Sequence, residues 1–125
     1  MLTKHHHIAI ICSDYRRAKE FYVEKLEFQV IREVWREDRQ DYLTMLRSGD
    51  VVLELFTKPD APQRPTMPEA LGLRHLAFQV EDVERAVAWL KQKGIETEPI
   101  RRDPVNGGRM TFFRDPDGLP LELHE

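Results

Sequence analysis

His7-Ile8-Ala9-Ile10 returns 68 positions later as His75-Leu76-Ala77-Phe78 (75 − 7 = 68). Leu53-Glu54-Leu55 returns as Leu121-Glu122-Leu123 at the same offset (122 − 54 = 68), and Asp14 returns as Asp82. An offset held over most of the chain implies two copies of one supersecondary unit. Each copy carries one histidine and one glutamate at an equivalent place. Duplication therefore turns one pair of metal-binding side-chain types into a set of four.

Outward from these segments, the apolar and β-branched run 5–12 reads as a strand, and Asp14 stands where a helix N-cap belongs. The spacing of Ala18, Phe21, Tyr22 and Leu26 predicts an amphipathic helix to about Leu26, with Arg16, Arg17, Glu20 and Glu24 turned to solvent. Strand-like runs follow at about 28–35, 41–47 and 51–56, with Arg47-Ser48-Gly49-Asp50 as a turn. This first βαβββ module covers about 5–57. Pro59, Pro62, Pro65 and Pro68 make 58–72 a linker, since so many prolines suit neither a helix interior nor a central strand. The second module, about 73–125, repeats the order. A strand from Leu73 to Val80 precedes a helix capped by Asp82 and ended by Gly94, with Val83, Ala86, Val87 and Leu90 as its buried stripe. Strands near 95–101, 109–114 and 119–124 complete it, and Asp115-Pro116-Asp117-Gly118 makes the last turn. The fold class expected is α+β, a single domain in which two βαβββ modules form a curved eight-stranded sheet.

Side chains alternate between the faces of a sheet, so strand parity decides where the four polar residues point. Ile8, Ile10 and Cys12 oppose His7, Ala9 and Ile11. Leu76, Phe78 and Val80 oppose His75, Ala77 and Gln79. Glu54 opposes Leu53 and Leu55, and Glu122 opposes Leu121 and Leu123. Helices covering the apolar set would leave all four candidates on the other, concave face.

At 125 residues, the chain has the length of one ordinary domain. Hydrophobic content of 41%, charged content of 33% and a formal net charge of −3 describe a globular protein with no electrostatic case for nucleic acid or an anionic membrane, so a small-molecule partner is expected. No apolar run approaches the roughly 18 residues of a membrane span, and Met1-Leu2-Thr3-Lys4 lacks the apolar stretch of a secretory signal, so a cytoplasmic location is expected. Cys12 is the one cysteine, which excludes an intrachain disulfide and a thiolate-rich zinc site.

The paired modules, with histidine opening each first strand and glutamate in each last strand, resemble the vicinal oxygen chelate superfamily, the glyoxalase/bleomycin-resistance/dioxygenase fold to which glyoxalase I belongs. The most specific motif is Asp115-Pro116-Asp117-Gly118-Leu119-Pro120-Leu121-Glu122-Leu123. Leu73-Arg74-His75-Leu76-Ala77-Phe78 matches the other half, and Gln63-Arg64-Pro65, His6-His7-Ile8-Ala9-Ile10-Ile11 and Thr111-Phe112-Phe113 resemble the YaeR-like subgroup. The resemblance implies that His7, Glu54, His75 and Glu122 are metal ligands, that Glu54 or Glu122 acts as catalytic base, and that the chain pairs as a homodimer, with the four ligands completed within one chain or across the pair.

A His2Glu2 set of borderline nitrogen and hard oxygen suits nickel, zinc, cobalt, manganese or iron. In a glyoxalase I-like reaction such a metal polarises a carbonyl and stabilises an enediolate as a proton leaves the adjacent carbon of a hemithioacetal. Three rivals come from the same resemblance. An iron-dependent extradiol-type dioxygenase would need only His7, His75 and Glu122, leaving Glu54 surplus. A thiol transferase of the fosfomycin-resistance type would show a monovalent-cation loop, and none is visible. A non-catalytic drug-binding protein would have lost its ligands. Plainer readings apply to other residues: His5 and His6 as neighbours of His7, and Cys12 as a packing residue on the apolar parity. His124 is either a substrate contact or a solvated chain end. Trp35, Tyr42, Arg101 and Arg109 either shape a pocket or face solvent.

Overall fold

Asp14 and Asp82, one repeat apart, each start a helix in the same way. In the computed structural model, which describes residues 1–125, both are extended residues whose carboxylates accept from the backbone N–H three positions on, Arg17 at 2.9 Å and Arg85 at 3.0 Å. A side-chain oxygen so placed satisfies a donor that the first helical turn leaves unpaired.

The chain divides into two units, Met1–Pro62 and Gln63–Glu125. The first runs β1 (Ile8–Cys12), α1 (Tyr15–Lys19), β2 (Gln29–Arg36), β3 (Asp41–Ser48) and β4 (Val51–Thr57). The second runs β5 (Leu76–Gln79), α2 (Val83–Gln92), β6 (Arg101–Arg102), β7 (Arg109–Arg114) and β8 (Pro120–His124). All eight expected strands form, four to a unit. Their orders match element for element, β1-β4-β3-β2 and β5-β8-β7-β6. In each, the first strand lies parallel to the last while the remaining pairs are antiparallel.

Three local features differ from the pattern expected. The first helix reaches its expected end, but after Lys19 it widens into a π-helical segment, Glu20–Lys25, in which Leu26 N–H bonds to Phe21 O five residues back. Phe21 and Tyr22 are both buried, as their place on the apolar stripe predicts. Both first strands also begin late, at Ile8 and Leu76, so His7 and His75 each stand one residue before the ladder. The strand expected over 95–101 shrinks to Arg101–Arg102. Ile95 N–H closes the helix end on Leu90 O and Pro99 has no N–H to give, leaving Glu98 N–H bonded to Phe112 O. Gly94, at φ 75°, ends α2 in the left-handed conformation expected of it.

Leu53 and Leu121, the equivalent leucines before the two glutamates, are fully buried, as are Leu46, Leu90, Val83 and Tyr22. Truncating either leucine to alanine should destabilise the protein by about 2–5 kcal/mol through lost transfer energy and the cavity left behind. Urea unfolding would measure it, and a midpoint equal to wild type would show that the position is not core.

The first unit also buries a charge. Asp41 is 4% exposed and sits opposite Arg36 in the β2–β3 ladder. It accepts from Arg36 Nε and a terminal Arg36 nitrogen at 2.7 Å each, and from Lys58 Nζ at 2.7 Å. These bonds, Arg36 first and Lys58 second, hold its carboxyl far below the ordinary carboxylate range. A depressed folded-state pKa contributes stability that is present above the unfolded value of 3.8 and is lost as pH falls below it. Asp41→Asn should therefore be less stable than wild type at neutral pH, and the gap should narrow as acid is added below that value. Urea midpoints across pH would test this, and a gap independent of pH would count against it.

Candidate functional site

Parallel pairing sets Ala9 opposite Glu54 in the first unit and Ala77 opposite Glu122 in the second. The two registers are the same once the 68-residue offset is applied. The histidine two positions before each alanine shares its face, and so shares the face of the glutamate. His7 Nε2 consequently lies 3.7 Å from Glu54 Oε2, and His75 Nε2 lies 2.7 Å from Glu122 Oε2. On the opposite face the flanking leucines, with Ile10 and Cys12, are buried. The candidates thus come together as one histidine–glutamate pair per unit, and neither unit by itself collects three or more His, Cys, Asp or Glu side chains in a group fit for a metal.

The two pairs are not identical in their surroundings. Glu122 and His75 have side chains 7% and 25% exposed, against 15% and 37% for Glu54 and His7. His7 Nδ1 has His6 Nδ1 at 2.9 Å, so His6 is more than a sequence neighbour: its ring meets the nitrogen of His7 that faces away from Glu54. His75 Nδ1 is buried with no hydrogen-bond partner. Its ring meets Phe112 edge-on at 5.1 Å between centroids.

The donor set suits a divalent transition ion. Ligands about 2.0–2.2 Å from a metal and at right angles to each other stand about 3 Å apart. The nitrogen–oxygen separations of 3.7 and 2.7 Å bracket that value, and imidazole with carboxylate is a combination that such metals accept.

Other sequence candidates divide by face. Trp35 and Tyr42 pack with Tyr15 on the helix side, with ring centroids 5.0 and 4.3 Å from the Tyr42 ring, so they do not adjoin Glu54. Arg109 also faces the helix side. It ties Glu125 (Nε to Oε2, 2.9 Å) and Glu84 (3.0 Å) to the start of α2, where Glu125 accepts from Val83 N–H. His124 is no frayed end: its Nδ1 is 2.6 Å from Glu125 O and its Nε2 3.2 Å from Asp103 Oδ2. The Glu125 carbonyl and then the Asp103 carboxylate hold its pKa above the ordinary histidine value. Gly108 leaves room for that ring, because a Cβ there would come within 2.7 Å of His124 Cε1. Cys12 is buried, with its thiol 3.6 Å from Phe56 O.

One feature of the glutamate face was not read from the sequence. Phe112 lies directly opposite Glu122 in the β7–β8 ladder, and the Arg101 guanidinium sits over its ring at 5.4 Å. In the first unit, Arg36 lies over Phe56 at 4.9 Å, two residues along β4 from Glu54. Only the cross-strand register reveals these stacks.

The family model described as Glyoxalase/Bleomycin resistance protein/Dioxygenase superfamily matches residues 4–123. The uncharacterised protein YwkD of Bacillus subtilis (strain 168) is 60% identical over 100% of this chain and 98% of its own length. YaeR of Escherichia coli (strain K12), also uncharacterised, is 52% identical over 96% and 94%. The crystal structure of the glyoxalase family protein from Enterococcus faecalis has a TM-score of 0.95 at 54% identity, covering 98% of each chain. More distant relatives are named enzymes. The 2-epi-5-epi-valiolone epimerase of an Actinomyces species is 31% identical over 94% of this chain and 76% of its own. A metallothiol transferase FosB of Staphylococcus saprophyticus is 25% identical over 99% and 78%.

Proposed function

This chain belongs to the Glyoxalase/Bleomycin resistance protein/Dioxygenase superfamily, and from that membership we propose that it is a metal-dependent enzyme of glyoxalase I type, moving a proton between neighbouring carbons of a small substrate with vicinal oxygens. The observation that carries this reading is the duplicated pair. His7 with Glu54 and His75 with Glu122 keep one register and one face at one offset. A single unit supplies two donors, so a four-donor site draws on both pairs, from one chain or from two copies of it.

His7 Nε2, His75 Nε2, Glu54 and Glu122 would hold a divalent nickel, zinc, cobalt, manganese or iron ion. Such an ion supplies Lewis acidity that draws charge from a carbonyl oxygen and acidifies the adjacent C–H. The chain's own task is to move that proton. A glutamate oxygen, of Glu54 or Glu122, takes it from one carbon and returns it to the next, which requires hydrogen-bond reach to both. Buried leucines behind each glutamate fix the strand from which it works, so the carboxylate is aimed by the ladder rather than by a flexible loop. His6 at Nδ1 of His7 orients that imidazole so that Nε2 remains available.

Epimerisation is a second reading, favoured by the 31% identity to the valiolone epimerase. It uses the same proton removal beside a carbonyl and differs in that a proton is returned to the same carbon on its opposite face. Elemental analysis of purified protein, followed by assays with α-ketoaldehyde hemithioacetals in deuterated water, tests both. Isomerised product supports the first reading. Deuterium incorporation at an epimerised carbon of a cyclic hydroxyketone supports the second. A chain that neither retains nor takes up a divalent metal overturns both.

A further inference from the structure

We propose that Asn106–Gly107, in the loop between β6 and β7, is a self-modifying site: the folded loop drives loss of ammonia from Asn106 and turns it into aspartate or isoaspartate. Asn106 is the one asparagine of the chain. It is exposed, and the glycine after it is in the left-handed conformation, φ 77°. A glycine carries no Cβ to shield its backbone nitrogen from the preceding side chain. Asn106 Oδ1 accepts from Gly108 N–H at 2.9 Å. The side-chain carbonyl therefore already has a donor on the oxygen that becomes negative when Cγ is attacked, the arrangement of an oxyanion hole. Gly107 N–H is bonded to Asp103 O at 2.8 Å, which fixes the peptide plane of the attacking nitrogen. Asn106 Nδ2 faces His124 Nε2 at 3.5 Å, the outer limit of a hydrogen bond, so the departing nitrogen is loosely held.

The rest of the loop is pinned around these atoms. Val105 N–H donates to Asp103 Oδ1 at 2.7 Å, Arg102 to Gly107 O at 2.9 Å, and Asp103 N–H to Gly108 O at 2.8 Å. Nucleophile and electrophile in one pinned turn need no further ordering before they meet. Gly107 N bonds to Asn106 Cγ, the Cγ–Nδ2 bond breaks, and ammonia leaves with the proton that Gly107 N gives up through solvent, which closes a succinimide. Water then opens the ring at either carbonyl. One opening gives aspartate; the other gives isoaspartate, whose backbone is one atom longer. Both products set a new carboxylate beside Asp103 and His124. His124 stands two residues from Glu122 and shares its face of β8, so the reaction adds negative charge next to the histidine–glutamate pair of the second unit.

The test compares the full chain folded and the full chain unfolded in urea, aged at the same pH and temperature and then digested with trypsin. In the folded sample, the peptide 103–109 should gain the mass of an amide turned acid at least about 10-fold faster than in the unfolded one, a modest part of what one oxyanion donor contributes. Labelling by an isoaspartyl methyltransferase should mark the same peptide. Asn106→Gln, whose longer side chain does not close a five-membered ring, should gain no mass there. If the bonds of the loop instead hold Gly107 N away from Cγ, the folded chain reacts more slowly than the unfolded one. That result, equal rates, or a mass gain that survives Asn106→Gln would overturn the proposal.

Discussion

Glu54→Gln should lower the rate of the proposed isomerisation by about 100-fold or more, the scale expected when general acid–base help is lost. The amide keeps the size and hydrogen-bonding reach of the side chain but cannot take a proton. Glu122→Gln should cost at least as much. Glu122 is the more buried carboxylate and lies 2.7 Å from its histidine, against 3.7 Å for Glu54, so its loss disturbs metal retention as well as proton transfer. Turnover assayed at saturating metal, beside metal content, separates the two effects. The result also discriminates between chemistries. A catechol dioxygenase built on His7, His75 and Glu122 would tolerate Glu54→Gln, so iron-dependent oxygen uptake unaffected by that change would favour the dioxygenase over the isomerase.

The second large effect concerns metal affinity. His7→Ala and His75→Ala should each weaken binding of a divalent transition ion by at least about 10- to 100-fold, since even outer partners of metal ligands reach that scale when removed. The two losses should be of similar size, because the residues occupy the same register position in their units, opposite neighbours Ala9–Glu54 and Ala77–Glu122. Competition with a chromogenic chelator would measure both, with circular dichroism confirming that each variant folds. One silent substitution beside one severe one would break the symmetric four-ligand model, leaving a site built on a single unit.

Much of this is legible in the linear chain. The offset linking His7 to His75 and Glu54 to Glu122 is a property of the linear chain, and the two-residue period of a strand turns it into a statement about faces. Asp14 and Asp82 as helix caps and Gly94 as a helix end are equally local, because each depends on the backbone within a few residues of itself.

What the tertiary structure decided lies across strands. No local rule says that the first helix widens into a π-helical turn after Lys19. The strand expected over 95–101 shortened to Arg101–Arg102 because Pro99 has no N–H to donate and Ile95 N–H closes the end of α2. Asp41 with Arg36 and Lys58, His124 with Asp103, and Arg101 over Phe112 are each set by register. A one-residue slip in β2–β3 or β6–β7 would send those side chains to opposite faces, and the hydrophobic pattern that selects one register acts only when the strands pack. The sequence by itself therefore determined the repeat, the elements and the face on which each histidine and glutamate stands. Packing decided which charges meet on that face, because partner choice across a sheet is a property of register and not of spacing along the chain.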